Sequence, residues 1–226
     1  MSEFEQTEQN RVRRVPRRGH YDYATVFRVI DVAWIGHVAF VDPTTHQATV
    51  IPMLHARDGD ELIFHGAKSS RLMKLLGSGQ PVSVSFAAVA GLVLAKSLFH
   101  HSMNYRSAVV FGCGSVVESR DSVLSSLKVL SDKLVPGRWE DARQPNDREL
   151  EATAVVRLRI ESASAKIRTG DPIDEPTDAD LPVWSGLLPL SEQAQEFIAD
   201  ENSLSLVVPR YLAEFRERLN RRTSWE

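Results

Sequence analysis

The sequence predicts a mainly β protein, a small and mostly antiparallel β-barrel with three or four peripheral helices. Short β-rich segments follow one another closely after residue 36, separated by turns that contain Asp, Pro or Gly. Closing such a sheet on itself removes its exposed edges, which favours a barrel over an open sheet. The 226 residues are 42% hydrophobic and 25% charged, so one large domain can bury a core.

The first half of the predicted barrel opens with a helix. Asp22 is placed to cap it, and apolar residues recur at helical spacing up to Trp34. Two turn signals, Asp42-Pro43 and Asp58-Gly59-Asp60, then divide three predicted strands. These strands are residues 37–41, 48–54 and 61–65. A short serine-capped helix follows and ends at Gly77.

The second half combines further strands with the longest helical stripe. The remaining predicted strands are residues 81–86, 89–95, 107–117 and 154–160. A helix covers residues 121–135, and another amphipathic helix begins at Pro209. The domains that we predict are a mobile basic arm at residues 1–18, a barrel domain at residues 19–190 and a C-terminal helical extension at residues 191–226.

Charge and cysteine content exclude several classes of protein. The net charge of −3 excludes a protein that binds polyanions through bulk charge, and the basic stretch at residues 11–18 has no interleaved aromatic residues, so we do not expect nucleic acid as a partner. Cys113 is the only cysteine, which excludes an internal disulfide and a cysteine-rich zinc site. Without a membrane-length apolar run or a secretory signal, we expect a cytoplasmic protein with no membrane partner.

The strongest local motif runs from His65 through Gly66, Lys68, Ser69 and Ser70 to Arg71 and opens a helix. Free backbone N–H groups, two hydroxyls and two cationic side chains are what a phosphate group binds. The alternative is that Ser69 caps the helix while Lys68 and Arg71 are solvated surface charges.

A second motif concentrates hydrogen-bonding and aromatic groups between two strands, over residues 96–107. Adjacent His100 and His101 point to opposite faces of an extended chain and have no cysteine or helical histidine partner, so we expect no metal site. Polar residues that satisfy a loop backbone are the alternative. Further along, Trp184 in a frame of Pro and Gly either stacks on a planar ligand or fills a gap in the core.

In this order, the segments resemble the flavin-binding split β-barrels related to pyridoxamine 5'-phosphate oxidase, in particular the flavin-nucleotide-binding and nitroimidazole-resistance-like branch. The matching segments, over residues 17–190, are 18–22, 36–40, 50–53, 65–71, 91–97, 100–112 and 181–190. The resemblance implies a six-stranded antiparallel split barrel and a homodimer with FMN at the subunit interface. The cofactor-binding residues that it implies are Val50, Ile51, Pro52, Met53, His65, Gly66, Lys68, Ser69, Ser70, Arg71, Tyr105, Arg106, Ser107, Trp184 and Gly186.

The function that the resemblance implies is an FMN-dependent oxidoreductase with an unidentified small-molecule substrate. NADH or NADPH is the expected electron donor. The candidates to face the substrate are His100, His101 and Tyr105, because they cluster beside the strand that the resemblance places next to the flavin. The C-terminus does not match the signature of the true oxidase, so we do not expect oxidation of pyridoxamine phosphate. The alternatives are a non-catalytic flavin carrier or sensor, and a barrel that holds a deazaflavin or a haem. For the haem, His65, His100 or His101 would be the axial ligand.

Overall fold

The computed structural model describes residues 2–221, which form one antiparallel sheet with helices around it. The strands are β1 (Gly19–His20), β2 (Ile35–Val41), β3 (Ala48–Leu54), β4 (Ala56–Asp58), β5 (Glu61–Ala67), β6 (Ser78–Leu94), β7 (Ser102–Val116), β8 (Thr153–Arg159), β9 (Ser162–Arg168) and β10 (Gly186–Pro189). The helices are α1 (Tyr23–Val32), α2 (Arg71–Leu76), α3 (Arg120–Leu134), α4 (Arg138–Asp141), α5 (Asp147–Ala152) and α6 (Arg210–Arg221). Each of these helices is too short or too polar to span a membrane.

Strand β7 organises the sheet because it has two different partners on one side. The main path runs β3-β2-β6-β7-β8-β5-β4, and β9, β1 and β10 add to it. The first part of β7, Tyr105–Phe111, pairs with β9, and its end, Gly114–Val116, pairs with β8. This change of partner bends the sheet around its core, as expected of a split barrel. The predicted mainly β antiparallel barrel is confirmed.

The core lies on one side of this bent sheet. On the other side the outer face of β2 and β3 is exposed, whereas residues 9–14 of the N-terminal arm lie over β7 and β9. In β2, Val38 and Phe40 are buried whereas His37 and Val41 are exposed. The inward side chains of β6 and β7 join the same cluster as α1 and α2. A second, smaller cluster packs α3 on the outside of β5 and β8. The alternation of strand side chains therefore buries one face and leaves the other for contacts.

The N-terminal arm packs against the barrel, which differs from the expected mobile segment. Phe4 belongs to the main core, and Asn10 is 2% exposed. The Asn10 side chain donates to the carbonyl groups of Glu5 at 2.8 Å and Ala163 at 3.3 Å. One aromatic anchor and one buried amide hold the arm, and neither produces a hydrophobic period in the sequence.

The C-terminal extension is helical only in its last part. Residues 191–209 contain no helix or strand, and α6 follows them. Asn220 exchanges hydrogen bonds with the backbone of Ala194, and the hydroxyl of Tyr211 donates to Asp141 at 2.7 Å. Residue 1 of the predicted arm and residues 222–226 of the predicted extension lie outside the described residues.

Candidate functional site

Two rows of side chains that include no Asp, Glu, Lys or Arg cross five strands on the outer face of the sheet. The first row, through β3, β2, β6, β7 and β9, is Pro52, His37, Ser85, Val109 and Ser164. The second is Val50, Ala39, Ser83, Phe111 and Ser162. With neighbouring strands about 4.8 Å apart, each row spans about 19 Å. His37 is the only titratable side chain in the two rows. The part of this surface on β3, β2 and β6 is open to a flat group or a second subunit, whereas Ser164 on β9 is buried beside the N-terminal arm.

The predicted segment Val50–Met53 divides between the two faces of β3. Val50 is 60% exposed and Pro52 is exposed as well, whereas Ile51 and Met53 pack against the core. Because side chains alternate along a strand, only Val50 and Pro52 can offer side-chain contacts to a ligand on the outer face.

The turn between β5 and α2 is held by its own backbone. The N–H of Lys68 donates to the carbonyl of Ala152 at 2.8 Å. Ser70, rather than Ser69, caps α2, since its hydroxyl oxygen accepts from the N–H of Met73 at 3.5 Å. Helix α2 has only six residues, so its dipole contributes little. An anion at this turn would mainly meet the cationic and hydroxyl side chains.

Arg71 joins this turn to the end of the β2–β3 hairpin. Its Nη1 atom lies 3.0 Å from Oδ2 of Asp42, which is 2% exposed. The backbone N–H groups of Thr45 and Thr44 donate to Oδ1 of Asp42 at 3.0 and 2.8 Å. These two bonds, together with Arg71, hold the pKa of the Asp42 carboxyl below its usual value. The cationic turn is therefore adjacent to the end of the β2–β3 hairpin, and Val50 lies near the start of β3.

His65, Gly66 and Lys68 lead into the turn with different environments. A Cβ on Gly66 would lie 2.9 Å from Cγ of Met73, so a glycine allows β5 and α2 to pack closely. Desolvation lowers the pKa of His65, although its side chain remains open to solvent, and the imidazole is therefore neutral at neutral pH. The imidazole of His65 makes no hydrogen bond with any residue from 2 to 221. Lys68 makes no ion pair with any of these residues.

His100 and His101 lie at the tip between β6 and β7 and contact different partners. Nε2 of His101 lies 3.0 Å from the carbonyl oxygen of Ala95, and Nε2 of His100 lies 3.6 Å from Oε1 of Glu175. The adjacent Phe99 is 88% exposed. This tip follows the end of the seventeen-residue β6, whereas α2 leads into its beginning. One chain therefore places the histidines and the cationic turn at opposite ends of β6.

Tyr105, Arg106 and Ser107 do not form one patch. Tyr105 and Ser107 alternate with Arg106 along β7, so Arg106 lies on the side of the buried Ala108. Burial and the charge of Arg28 lower the pKa of Arg106. The outer face of β7 therefore carries Tyr105 and Ser107 of the predicted group.

Trp184 is 67% exposed, so the alternative in which it fills a gap in the core is wrong. Its ring packs over Gly186, where a Cβ would lie 2.8 Å from two ring atoms. Gly186 pairs with Leu94 of β6 in the same chain. Nζ of Lys96 donates to the carbonyl of Leu181 at 2.9 Å and fixes the loop before the tryptophan. The exposed indole face remains available for stacking.

Sequence reasoning missed Asp42 and the outer-face residues His37 and Ser85. The Asp-Pro dipeptide at residues 42–43 predicts a turn, but the contact of Asp42 with Arg71 is not local in sequence. The alternation of β2 was a usable signal, since His37 lies between two residues that are buried.

The antiparallel split barrel defines the class of protein to which this chain belongs. Comparisons with known proteins identify the family within that class. Residues 22–167 match the family described as pyridoxamine 5'-phosphate oxidase. That match covers more than half of the chain and most of the barrel. The protein therefore belongs to the pyridoxamine 5'-phosphate oxidase family, which confirms the resemblance.

Two solved structures are similar to this chain over nearly their whole length. The flavocytochrome Anf3 from Azotobacter vinelandii is 31% identical with a TM-score of 0.85, and the match covers 93% of this chain and 97% of Anf3. The FAD and haem binding protein from Mycobacterium smegmatis is 29% identical with a TM-score of 0.83, over 88% of this chain and 97% of that protein.

A more distant structure has the same fold. It is a nitroimidazole-resistance-like protein from Bacteroides thetaiotaomicron, 17% identical with a TM-score of 0.57, over 66% of this chain and 86% of that protein. No curated protein sequence matches this chain.

Proposed function

We propose that this protein is a flavin-dependent oxidoreductase that acts as a homodimer, with the flavin at the subunit interface. The observation that carries the proposal is the 3.0 Å ion pair between Arg71 and Asp42, which joins a cationic turn to the β2–β3 hairpin, whose strand β3 exposes Val50 and Pro52. Family membership supports it, and so do two similar proteins described as a flavocytochrome and as an FAD and haem binding protein.

The turn would hold the flavin phosphate, and β3 would lie along the ring. Lys68 offers an exposed ammonium group, and the hydroxyls of Ser69 and Ser70 offer hydrogen bonds. Val50 and Pro52 form an uncharged surface for the ring system. The turn accounts for one phosphate group, as in FMN, while FAD is the alternative that the Mycobacterium smegmatis relative suggests.

When bound, the flavin supplies hydride- and electron-transfer chemistry. The chain's own residues would bind it, orient it and exclude water from one of its faces. The β6–β7 tip would reach the flavin of the other subunit, because the turn and the tip lie at opposite ends of β6. In that arrangement His100, His101 and Tyr105 face the substrate, and Trp184 offers its exposed indole to the partner's site.

Flavin binding is tested by titrating flavin-free protein with FMN and following the quenching of flavin fluorescence. Lys68→Ala should weaken binding about tenfold, since a charge-assisted hydrogen bond contributes about 1.5 kcal/mol or more. Lys74→Ala is the matched control, because Lys74 is an exposed lysine on α2 outside the turn. Equal affinities of both variants and the wild type would contradict the phosphate site.

The dimer and the catalytic assignment have separate tests. Light scattering at micromolar concentration should give twice the chain mass of 25.3 kDa, and a monomer would contradict the shared site. His100→Ala, His101→Ala and Tyr105→Phe should each slow turnover driven by NADH or NADPH while flavin content stays constant. Unchanged turnover in all three would remove these residues from the site. A flavin that these donors do not reduce would favour the carrier or sensor function.

Haem binding is a second candidate function, and the environment of the His65 imidazole favours it. The imidazole is neutral at neutral pH, open to solvent and without a hydrogen bond to residues 2–221, which suits an axial ligand. Haem added to the purified protein should give a sharp Soret band that His65→Ala abolishes. His37→Ala, at another exposed strand position, is the control. A band that survives in His65→Ala would exclude His65 as the ligand.

A further inference from the structure

The N-terminal arm and the outer face of β7 and β9 line a cavity of about 270 Å³ that is open to solvent. Its floor contains Ser107 and Val109 of β7, which pair in register with Lys166 and Ser164 of β9. Residues 9–14 of the arm form its wall. The cavity therefore exists only because the arm packs on the strands.

The cavity is strongly cationic. Arg11, Arg13, Arg14 and Lys166 line it, and among the described residues no Asp or Glu does. Glu8, outside the lining, binds Arg11 at 3.1 Å and Arg13 at 2.7 Å. Arg14 and Lys166 form no ion pair with any other residue from 2 to 221. Two cations are thus available to an anionic group, and an anion would reduce the repulsion among all four.

The arm is already in place before a ligand binds. Asn10 is 2% exposed and donates to the carbonyl of Ala163 at 3.3 Å. The N–H of Val12 donates to the hydroxyl of Tyr21 at 2.9 Å. Because these bonds order the wall, a ligand does not have to meet the entropic cost of ordering it.

Size and lining define the class of ligand. Sites for drug-sized molecules begin at about 300 Å³, so this cavity takes a group of about the size of one nucleotide. Phe111 is half-buried and, with Val109, offers an apolar surface to a planar ring. We infer that the cavity binds an adenosine phosphate, with the phosphate on Arg14 and Lys166 and the adenine against Phe111.

An adenosine phosphate has two sources in flavin chemistry, the adenylate half of FAD and that of NADH or NADPH. This link rests on the proposed flavin function. The cavity shares Ser107 with the cofactor-binding residues implied by the family resemblance, so it adjoins that region of β7. An adenylate bound here would either select FAD over FMN or position the electron donor.

The binding test is isothermal titration of the full-length protein with adenosine 5'-monophosphate at fixed ionic strength. Lys166→Gln and Arg14→Gln should each weaken binding about tenfold, as expected for the loss of a charge-assisted hydrogen bond. Arg17→Gln is the control, because Arg17 is an exposed arginine of the same arm that does not line the cavity. Circular dichroism identifies any variant that fails to fold, and the exposed Arg14 provides a substitution with little risk to the fold.

Two results of the titration would overturn the inference. One is the absence of saturable binding to the wild type, and the other is an equal loss in Arg17→Gln, which would reveal only bulk charge. Inorganic phosphate that binds as tightly as the nucleotide would overturn the role of Phe111 and the nucleotide assignment.

The same variants test which molecule supplies the adenylate. Together with Lys68→Ala they also test whether the cavity is independent of the proposed flavin site. If FAD supplies it, Lys166→Gln weakens FAD binding and leaves FMN binding unchanged; if the donor supplies it, the KM for NADH or NADPH rises instead. If Lys166→Gln alters neither FAD binding nor the KM for NADH or NADPH, the link to redox chemistry is overturned. Lys68→Ala should weaken FMN binding and leave nucleotide binding intact, so the two sites can fail separately.

Discussion

His55 provides a quantitative test of the packing around the barrel core. It lies between β3 and β4 with 0% exposure, and its ring centroid is 4.6 Å from that of Phe86. Nε2 lies 3.1 Å from the carbonyl oxygen of Ile30, while Nδ1 has no hydrogen-bond partner among the described residues. This burial lowers the pKa of His55 from 6.5 to about 4.

The lowered pKa makes a defined contribution to the pH dependence of stability. The unfolded chain binds a proton on His55 near pH 6.5, whereas the folded protein does not until about pH 4. Stability from this group is therefore fully present above pH 6.5 and is lost as the pH falls toward about 4. At about 1.4 kcal/mol per pKa unit, the loss amounts to about 3 kcal/mol.

The assay is urea unfolding at several values between about pH 7 and pH 4. His55→Gln keeps a side chain that can donate to Ile30 and removes the titration. Near neutral pH the variant should be less stable than the wild type. Across this pH range its free energy of unfolding should fall by about 3 kcal/mol less than that of the wild type. His46→Asn is the control, because His46 is exposed and its φ of 57° suits asparagine. Parallel pH profiles of His55→Gln and the wild type would refute the reasoning.

Three further substitutions test the packing, each by urea unfolding at neutral pH. Gly112→Ala places a Cβ 1.9 Å from the carbonyl oxygen of Arg159 and should destabilise the fold by about 3 kcal/mol; a neutral effect would contradict this close approach. Arg168→Met removes a buried hydrogen bond to Asn104 and should cost about 1–3 kcal/mol, so unchanged stability would show that the bond contributes nothing. Asp22→Ala removes the α1 cap and should cost about 1 kcal/mol; a gain in stability would contradict the cap.

Elements with local signals could be predicted from the sequence. The predicted helix at residues 121–135 is α3, Arg120–Leu134, because its apolar stripe and its terminators lie within one segment. Asp22 caps α1 as expected, since its carboxylate accepts from the N–H of Thr25 at 2.8 Å. Caps and turns depend on neighbours in sequence, so single residues are enough to identify them.

Features that depend on distant parts of the chain were not predictable in the same way. Strand β9, Ser162–Arg168, was missed because Ser and Ala dominate it and the strand is defined by its pairing with β7. The two predicted strands 81–86 and 89–95 form the single long β6, with a register shift near Val89 that the sequence does not reveal.

The candidate site shows the same division between local and distant contacts. The turn from His65 to Arg71 was recognisable from its residue types. The ion pair of Arg71 with Asp42 joins positions 29 residues apart in sequence and is visible only in the fold. The outer face likewise combines residues from five strands, and the two rows without Asp, Glu, Lys or Arg emerge only when the registers are known.

The central claim is that this barrel binds a flavin, and the visible absorption spectrum of freshly purified protein tests it most directly. We predict flavin bands, and mass spectrometry of the released chromophore should give FMN or FAD; an additional Soret band would support haem. A colourless protein that takes up neither FMN nor FAD would contradict the account.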